Sequence, residues 1–176
     1  MRTNASLGRS KDNIGIVMVK SKGPKSATMQ NQEGWRLSNT GRLLFNAARR
    51  FEDRVIRHIN SNGFPDIRMA HMSVPRNLDV KGTRITELAK RCAMTKQSMS
   101  DLVNQCERMG LVSRRPDISD YRAKIIVFTA KGRRLLDTIR KAITIAERDL
   151  CGKIGDQSAA KLRSILASYL GVNVAK

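Results

Sequence analysis

Two apolar stripes at helical spacing, set close together and followed by a β-prone segment, constrain this chain more than any other feature. Ile85, Leu88, Ala89 and Cys92 recur at steps of three and four, which makes one buried helix face. Met99, Leu102, Val103, Cys106 and Met109 repeat the pattern. Thr83 is read as the N-cap of the first helix, and the second is read as starting at Thr95. Gly110 ends the second, as a residue past a helix terminus often does in the left-handed region. Leu111–Arg115 and Ala123–Thr129 are β-prone, and the Pro116–Arg122 stretch between them holds Pro, Asp and Ser, which favour a turn. The segment reads as a two-stranded hairpin with Arg114, Arg115, Arg122 and Lys124 around its tip. Asp120 and Arg122 are two residues apart, so on one strand they share a face, and the carboxylate is expected to hold the guanidinium.

Helix, turn, helix and basic hairpin is an order of parts that suits the DNA major groove, with a flanking arm for backbone or minor groove. The outer face of the second helix carries Lys96, Gln97, Ser98, Ser100, Asp101 and Asn104. Gln can pair with the N6/N7 edge of adenine, Lys can reach guanine O6/N7, and Ser can donate or accept. Taken alone, such a face is an ordinary solvated one; the hairpin beside it favours base reading. Thr83, Arg84 and Thr95, at the two helix entries, complete the expected DNA-binding set.

The same stretch resembles the MarR family of winged helix-turn-helix transcriptional regulators. The resemblance rests on Gly82–Ala89, Met94–Gln97, Leu102-Val103, Glu107 and Gly110–Val112. In the hairpin it rests on Arg115–Asp117, Asp120 and Arg122–Lys124, then Thr129, Lys131 and Gly132. The D-x-R wing followed by T-x-x-G makes it specific at 82–132, and at the level of helix order it covers roughly 40–170. Tyr121 stands where the family often has Arg. The resemblance implies a mainly α fold with a small β-hairpin wing: a winged helix-turn-helix lobe plus a helical dimerisation region. It also implies that Arg122 enters the minor groove.

Residues 1–37 are polar and basic and are expected to form a disordered extension with a brief strand at 14–19. Residues 38–176 are expected to form one MarR-type domain, with dimerisation helices at 38–75 and 131–176 around a DNA-binding lobe at 76–130. Within it, a long helix over 40–62 has a stripe of Leu44, Ala47, Ala48, Phe51 and Val55, ended by Asn62-Gly63. Pro65 is expected to open a shorter helix that runs to Ser73 and is stopped by Val74-Pro75. A helix over 131–154 has Leu135, Leu136, Ile139, Ala142, Ile143, Ala146 and Leu150 on one face. Asp156 caps a last helix, with Leu162, Ile165, Leu166, Tyr169 and Leu170 expected to be buried. Apolar stripes at both ends of so small a lobe call for a partner, and a twofold homodimer is the usual solution.

The formal net charge of +19 favours polyanions, without distinguishing DNA from RNA or an anionic membrane. The three cysteines, Cys92, Cys106 and Cys151, form no C-x-x-C pair and read as inert thiols. Some MarR relatives sense peroxide through a cysteine near the start of the first long helix; residues 38–50 hold none. His58 reads as a packed or surface residue. His71, near where family members bind small anions or aromatics, is the single candidate for a ligand contact. No catalytic constellation, metal spacing, cofactor motif, signal peptide or membrane span is visible, so a cytoplasmic non-enzyme is expected. Two functions stay open. One is a dimeric repressor that binds a near-palindromic double-stranded operator and is relieved by a small aromatic or anionic effector. The other is a sequence-tolerant architectural nucleic-acid binder.

Overall fold

The computed structural model describes residues 34–36, 38–118, 120 and 122–173. The expectations for residues 1–33, and Tyr121, lie outside them. The chain divides into two compact units, Met1–Leu43 and Leu44–Lys176. In the first, helical turns are held by Ser38 Oγ donating to the Gly34 carbonyl at 2.8 Å and Asn39 Nδ2 to that of Trp35 at 2.6 Å. Asn39 Oδ1 accepts from the Arg42 N–H at 2.9 Å and so caps helix α1, Thr40–Ser61.

The second unit is mostly helical. After α1 come a 3-10 turn (Met69–Met72), α2 (Ser73–Asn77), β1 (Thr83–Arg84), α3 (Ile85–Arg91) and α4 (Lys96–Arg108). Strands β2 (Val112–Pro116) and β3 (Lys124–Phe128) follow, then α5 (Ala130–Ile154) and α6 (Asp156–Leu170). The core is aliphatic: Val55, Ile59, Met72, Val74, Leu88, Met99, Val103, Ile126 and Leu135 are almost wholly buried. The stripes of α3, α4 and α5 point inward as their spacing predicts, apart from Ile143, which is exposed, and Ile85, Cys92, Met109, Leu136 and Leu150, which are half-buried.

Three sequence expectations need correcting. Thr83 is not a helix cap; it pairs with Ile126 as the first residue of a third strand, giving an antiparallel sheet ordered β1-β3-β2 rather than a lone hairpin. A two-residue strand carries no alternation by which to recognise it. The helix expected to start at Pro65 begins at Ser73 and contains Val74-Pro75 instead of stopping there. Proline is tolerated in a first turn, where its missing N–H has no intrahelical acceptor. Finally, Asp156 does not cap α6: it is the first residue of the helix, Gly155 stands at the cap position, and no side chain there accepts from the helix. Leu44, Ala47 and Ala48 of α1 and Ile165, Tyr169 and Leu170 of α6 are exposed in the single chain.

The junction between α4, the sheet and α5 is tight. Gly110 adopts φ 70° after α4. Thr129 Oγ1 donates to the Gly110 carbonyl at 2.6 Å and accepts from the Gly132 N–H at 3.0 Å, capping α5. Gly132 lies against the Leu111 carbonyl with no room for a side chain.

The cysteines are held as reduced thiols. Burial pushes Cys106 up to about 11 and raises Cys92. At pH 8 a thiol of that strength is only about one part in a thousand thiolate. Iodoacetamide should therefore modify half-exposed Cys151 in the native protein and leave Cys106 untouched until denaturant is added. Peptide mass spectrometry reads the order, and early labelling of Cys106 would show that the lobe opens.

Candidate nucleic-acid interface

Helix α4 starts with its cap satisfied. Thr95 Oγ1 accepts from the Ser98 N–H at 3.0 Å and lies 2.8 Å from Ser98 Oγ. Both hydroxyls are thus engaged with each other while remaining exposed. Burying Met99, Leu102, Val103 and Cys106 turns Lys96, Gln97, Ser98 and Asp101 to the exterior. Gln97 Nε2 donates to Asp101 Oδ1 at 3.3 Å, so one amide proton is used while the residue stays exposed. Ser100 and Asn104 are half-buried at the edge of this face.

The wing supplies cations of two kinds. Arg115, Arg122 and Lys124 are exposed. Arg114 is committed inside the lobe: Nη1 donates to Glu107 Oε2 and Nη2 to Asn104 Oδ1, the latter at 2.7 Å. Arg114 and Asn104, both in the set expected on DNA, join β2 to α4. Arg84 faces the wing, with Nε donating to Asp117 Oδ2 at 2.7 Å. Asp120 does not clasp the Arg122 guanidinium as strand spacing suggested. The two residues lie in a turn rather than on one strand, and Asp120 Oδ1 accepts from the Arg122 backbone N–H at 3.1 Å.

Thr83, also expected on DNA, is buried. Its Oγ1 accepts from the Asp79 N–H at 2.9 Å and donates to Asp79 Oδ2 at 3.1 Å. Arg91 donates to Asp79 Oδ1 at 3.0 Å, to Glu87 at 3.1 Å and to the Asn77 carbonyl at 2.8 Å. Arg91 first, then Thr83, hold the Asp79 carboxyl below the usual carboxylate range. This cluster fixes the loop that delivers β1 to the sheet. His71 is also closed. Its Nδ1 accepts from the Arg68 N–H at 3.1 Å, so Nε2 carries the proton and donates to Gln105 Oε1 at 2.8 Å. The imidazole ties the 3-10 turn to α4, and no ring nitrogen is left over for a ligand.

Residues 76–123 match the model of the MarR family. Over α3, α4 and β2 this chain is similar to that family. No curated protein matches the chain in sequence. Among solved structures, the transcriptional repressor CouR bound to a 23-mer DNA duplex shares 26% identity at a TM-score of 0.63, over 78% of this chain and 96% of that one. CouR from Rhodococcus jostii RHA1 bound to p-coumaroyl-CoA gives 25% and 0.59, over 79% and 96%. MarR from E. coli, at 19% identity and 0.61 over 76% and 98%, shows the likeness of fold. So does a probable transcriptional regulator from Pseudomonas aeruginosa, at 20% and 0.60 over 75% and 97%.

In this lobe the sequence located the outward face of α4 and the exposed wing cations. It missed Glu107 and Asp117 as the carboxylates that occupy Arg114 and Arg84. Among the described residues, no cluster of three or more His, Cys, Asp or Glu could hold a metal, and no helix is long and apolar enough to cross a membrane.

Proposed function

We propose that this MarR-type chain is a homodimeric, sequence-specific regulator of transcription that represses from a near-palindromic operator. The observation that carries this reading is the outward set Lys96, Gln97, Ser98 and Asp101 on a capped helix, flanked by a wing with exposed Arg115, Arg122 and Lys124. Short polar groups on a rigid helix suit base edges, and exposed cations on a flanking wing suit phosphates and the minor groove. The DNA-bound CouR neighbour supports the same use of the fold. Homodimerisation is supported by the exposed apolar residues of α1 and α6: Leu44, Phe45, Ile165, Tyr169 and Leu170. The protein acts by binding rather than by catalysis, and in the cytoplasm, where its DNA lies.

Release by a small anionic or aromatic ligand is supported by two observations. One is the CouR neighbour that binds p-coumaroyl-CoA. The other is an open hollow of about 580 Å³ along α1, where Arg49, Arg50 and Arg57 face a single carboxylate, Asp53. Such a hollow offers an anionic ligand charge-assisted hydrogen bonds. It replaces His71 as the place to look.

One feature favours the architectural alternative. Ile118, at the wing tip, is 86% exposed, and apolar wedges are what sequence-tolerant DNA benders insert. Selection of bound duplexes from a random pool separates the two. A regulator returns one near-palindrome with half-sites about 34–36 Å apart; an architectural binder returns none. On the selected duplex, Gln97→Ala should cost about 1–3 kcal/mol and much less on scrambled DNA. Arg122→Ala should weaken both and lower the salt-dependence slope by about one. Equal effects of Gln97→Ala on the two duplexes would refute base reading.

A further inference from the structure

Helix α3 begins without a capping side chain. Its N-cap position is Arg84, in extended conformation, and no side chain there accepts from the helix. Ser, Thr, Asp or Asn ordinarily fills that position. The Arg84 side chain is used across the fold, on residues 33 positions away. Nε donates to Asp117 Oδ2 at 2.7 Å, and Nη2 is 2.6 Å from the same oxygen. Nη2 is also 3.9 Å from Asp120 Oδ2. The Asp117 side chain is 15% exposed, against 36–68% for the other carboxylates of the described ion pairs.

These two carboxylates are the anchors of the loop that carries Arg122. The Asp117 N–H donates to the Ala123 carbonyl at 3.0 Å, and the Asp117 carbonyl accepts from the Asp120 N–H at 3.2 Å. The Asp120 carbonyl accepts from the Ala123 N–H at 2.8 Å, and its side chain takes the Arg122 N–H. At the other end, Arg84 is pinned by its strand, opposite Ile125 of β3, directly before α3. Exposed ion pairs usually contribute little. A guanidinium with two donors on one largely buried carboxylate belongs to the stronger class.

We propose that Arg84 is a positioning residue that braces the wing tip against the start of α3. The brace sets the distance between the face of α4 and Arg122, so that both meet one duplex without reorganisation. Arg84 does not itself hold a phosphate. The DNA part of this inference rests on the function proposed above; the brace itself does not.

The test therefore has a DNA-free arm and a DNA arm. In the free protein, amide hydrogen exchange is followed over residues 116–123 and over α4 in wild type, Arg84→Ala and Asp117→Asn. Both variants should speed exchange in the wing by about tenfold or more while α4 is unchanged, because only the local opening becomes easier. On the selected duplex both should lose about tenfold in affinity, and neither should add to the loss caused by Arg122→Ala, since both act through it. Arg84→Lys should restore only part, because an ammonium lacks the planar fork. A phosphate contact predicts otherwise: Arg84→Ala lowers the salt slope by about one, Asp117→Asn leaves affinity intact, and the loss adds to that of Arg122→Ala. That pattern overturns the proposal. If the wild type binds no duplex, the regulator reading fails and the exchange arm decides alone. Unchanged wing exchange in both variants overturns the brace.

Discussion

Gly132→Ala should destabilise the lobe by on the order of 3 kcal/mol, at the upper end of what overpacking costs. A Cβ at this position would lie 2.0 Å from the Leu111 carbonyl oxygen, 3.0 Å from its carbon and 3.1 Å from Phe128 Cδ1. The clash is with backbone, which has no rotamer to escape to. The Leu111 oxygen is also occupied, accepting from the Thr129 N–H at 3.1 Å, with Thr129 Oγ1 another 3.1 Å neighbour. Moving it would loosen the cap of α5 and the pairing of Val112 with Phe128. For a chain of this size the loss corresponds to a fall of roughly 6–12 °C in Tm. Gly152→Ala is the control, since nothing lies within 4 Å of its added Cβ. Near the end of the same helix it should be neutral or stabilise by up to about 1 kcal/mol. Similar melting of the two variants would refute the close approach at Leu111.

Deleting residues 156–176 should abolish the proposed dimer and, with it, the proposed operator binding. In the single chain α6 buries only Ala159 fully, with Leu162 and Leu166 half-buried. Ile165, Tyr169 and Leu170 are 55%, 78% and 66% exposed. Each large apolar side chain buried against a partner contributes on the order of 1.5–3 kcal/mol, and a symmetric dimer gains each of them twice. The truncated chain should run as a monomer or aggregate in light scattering. Ile165→Asp gives a gentler version, because that side chain is mostly outside the single-chain core and the lobe should still fold. A truncated chain that stays dimeric with unchanged affinity would place the interface elsewhere.

Much of the architecture was legible because it repeats. The stripes of α3, α4 and α5 recur every three to four residues, and burial follows them at Leu88, Met99, Val103, Leu135 and Ala142. The helix start at Thr95, where the structure puts the cap, Gly110 as a stop and the β-prone segments around Pro116–Arg122 are local signals, and each stands where the sequence implied to within a residue. The exposed face of α4 follows from the same periodicity, since placing the apolar side inward fixes the polar side outward. Strand β1 was not legible, because two residues carry no period, and Pro75 misled because a proline in a first turn resembles a stop.

Which polar groups are spent inside the lobe was decided by tertiary structure alone. Arg84 and Arg122 each lie within three positions of an acidic residue in the sequence, Glu87 and Asp120, yet one reaches Asp117 and the other presents its side chain to solvent. Thr83 satisfies Asp79, His71 reaches Gln105 over 34 positions, and Arg114 is taken by Glu107 and Asn104. Periodicity reports only the direction in which a side chain leaves its own element. Whether it meets a partner depends on how elements far apart in sequence pack, and that packing is set by the apolar core rather than by the charged residues it brings together.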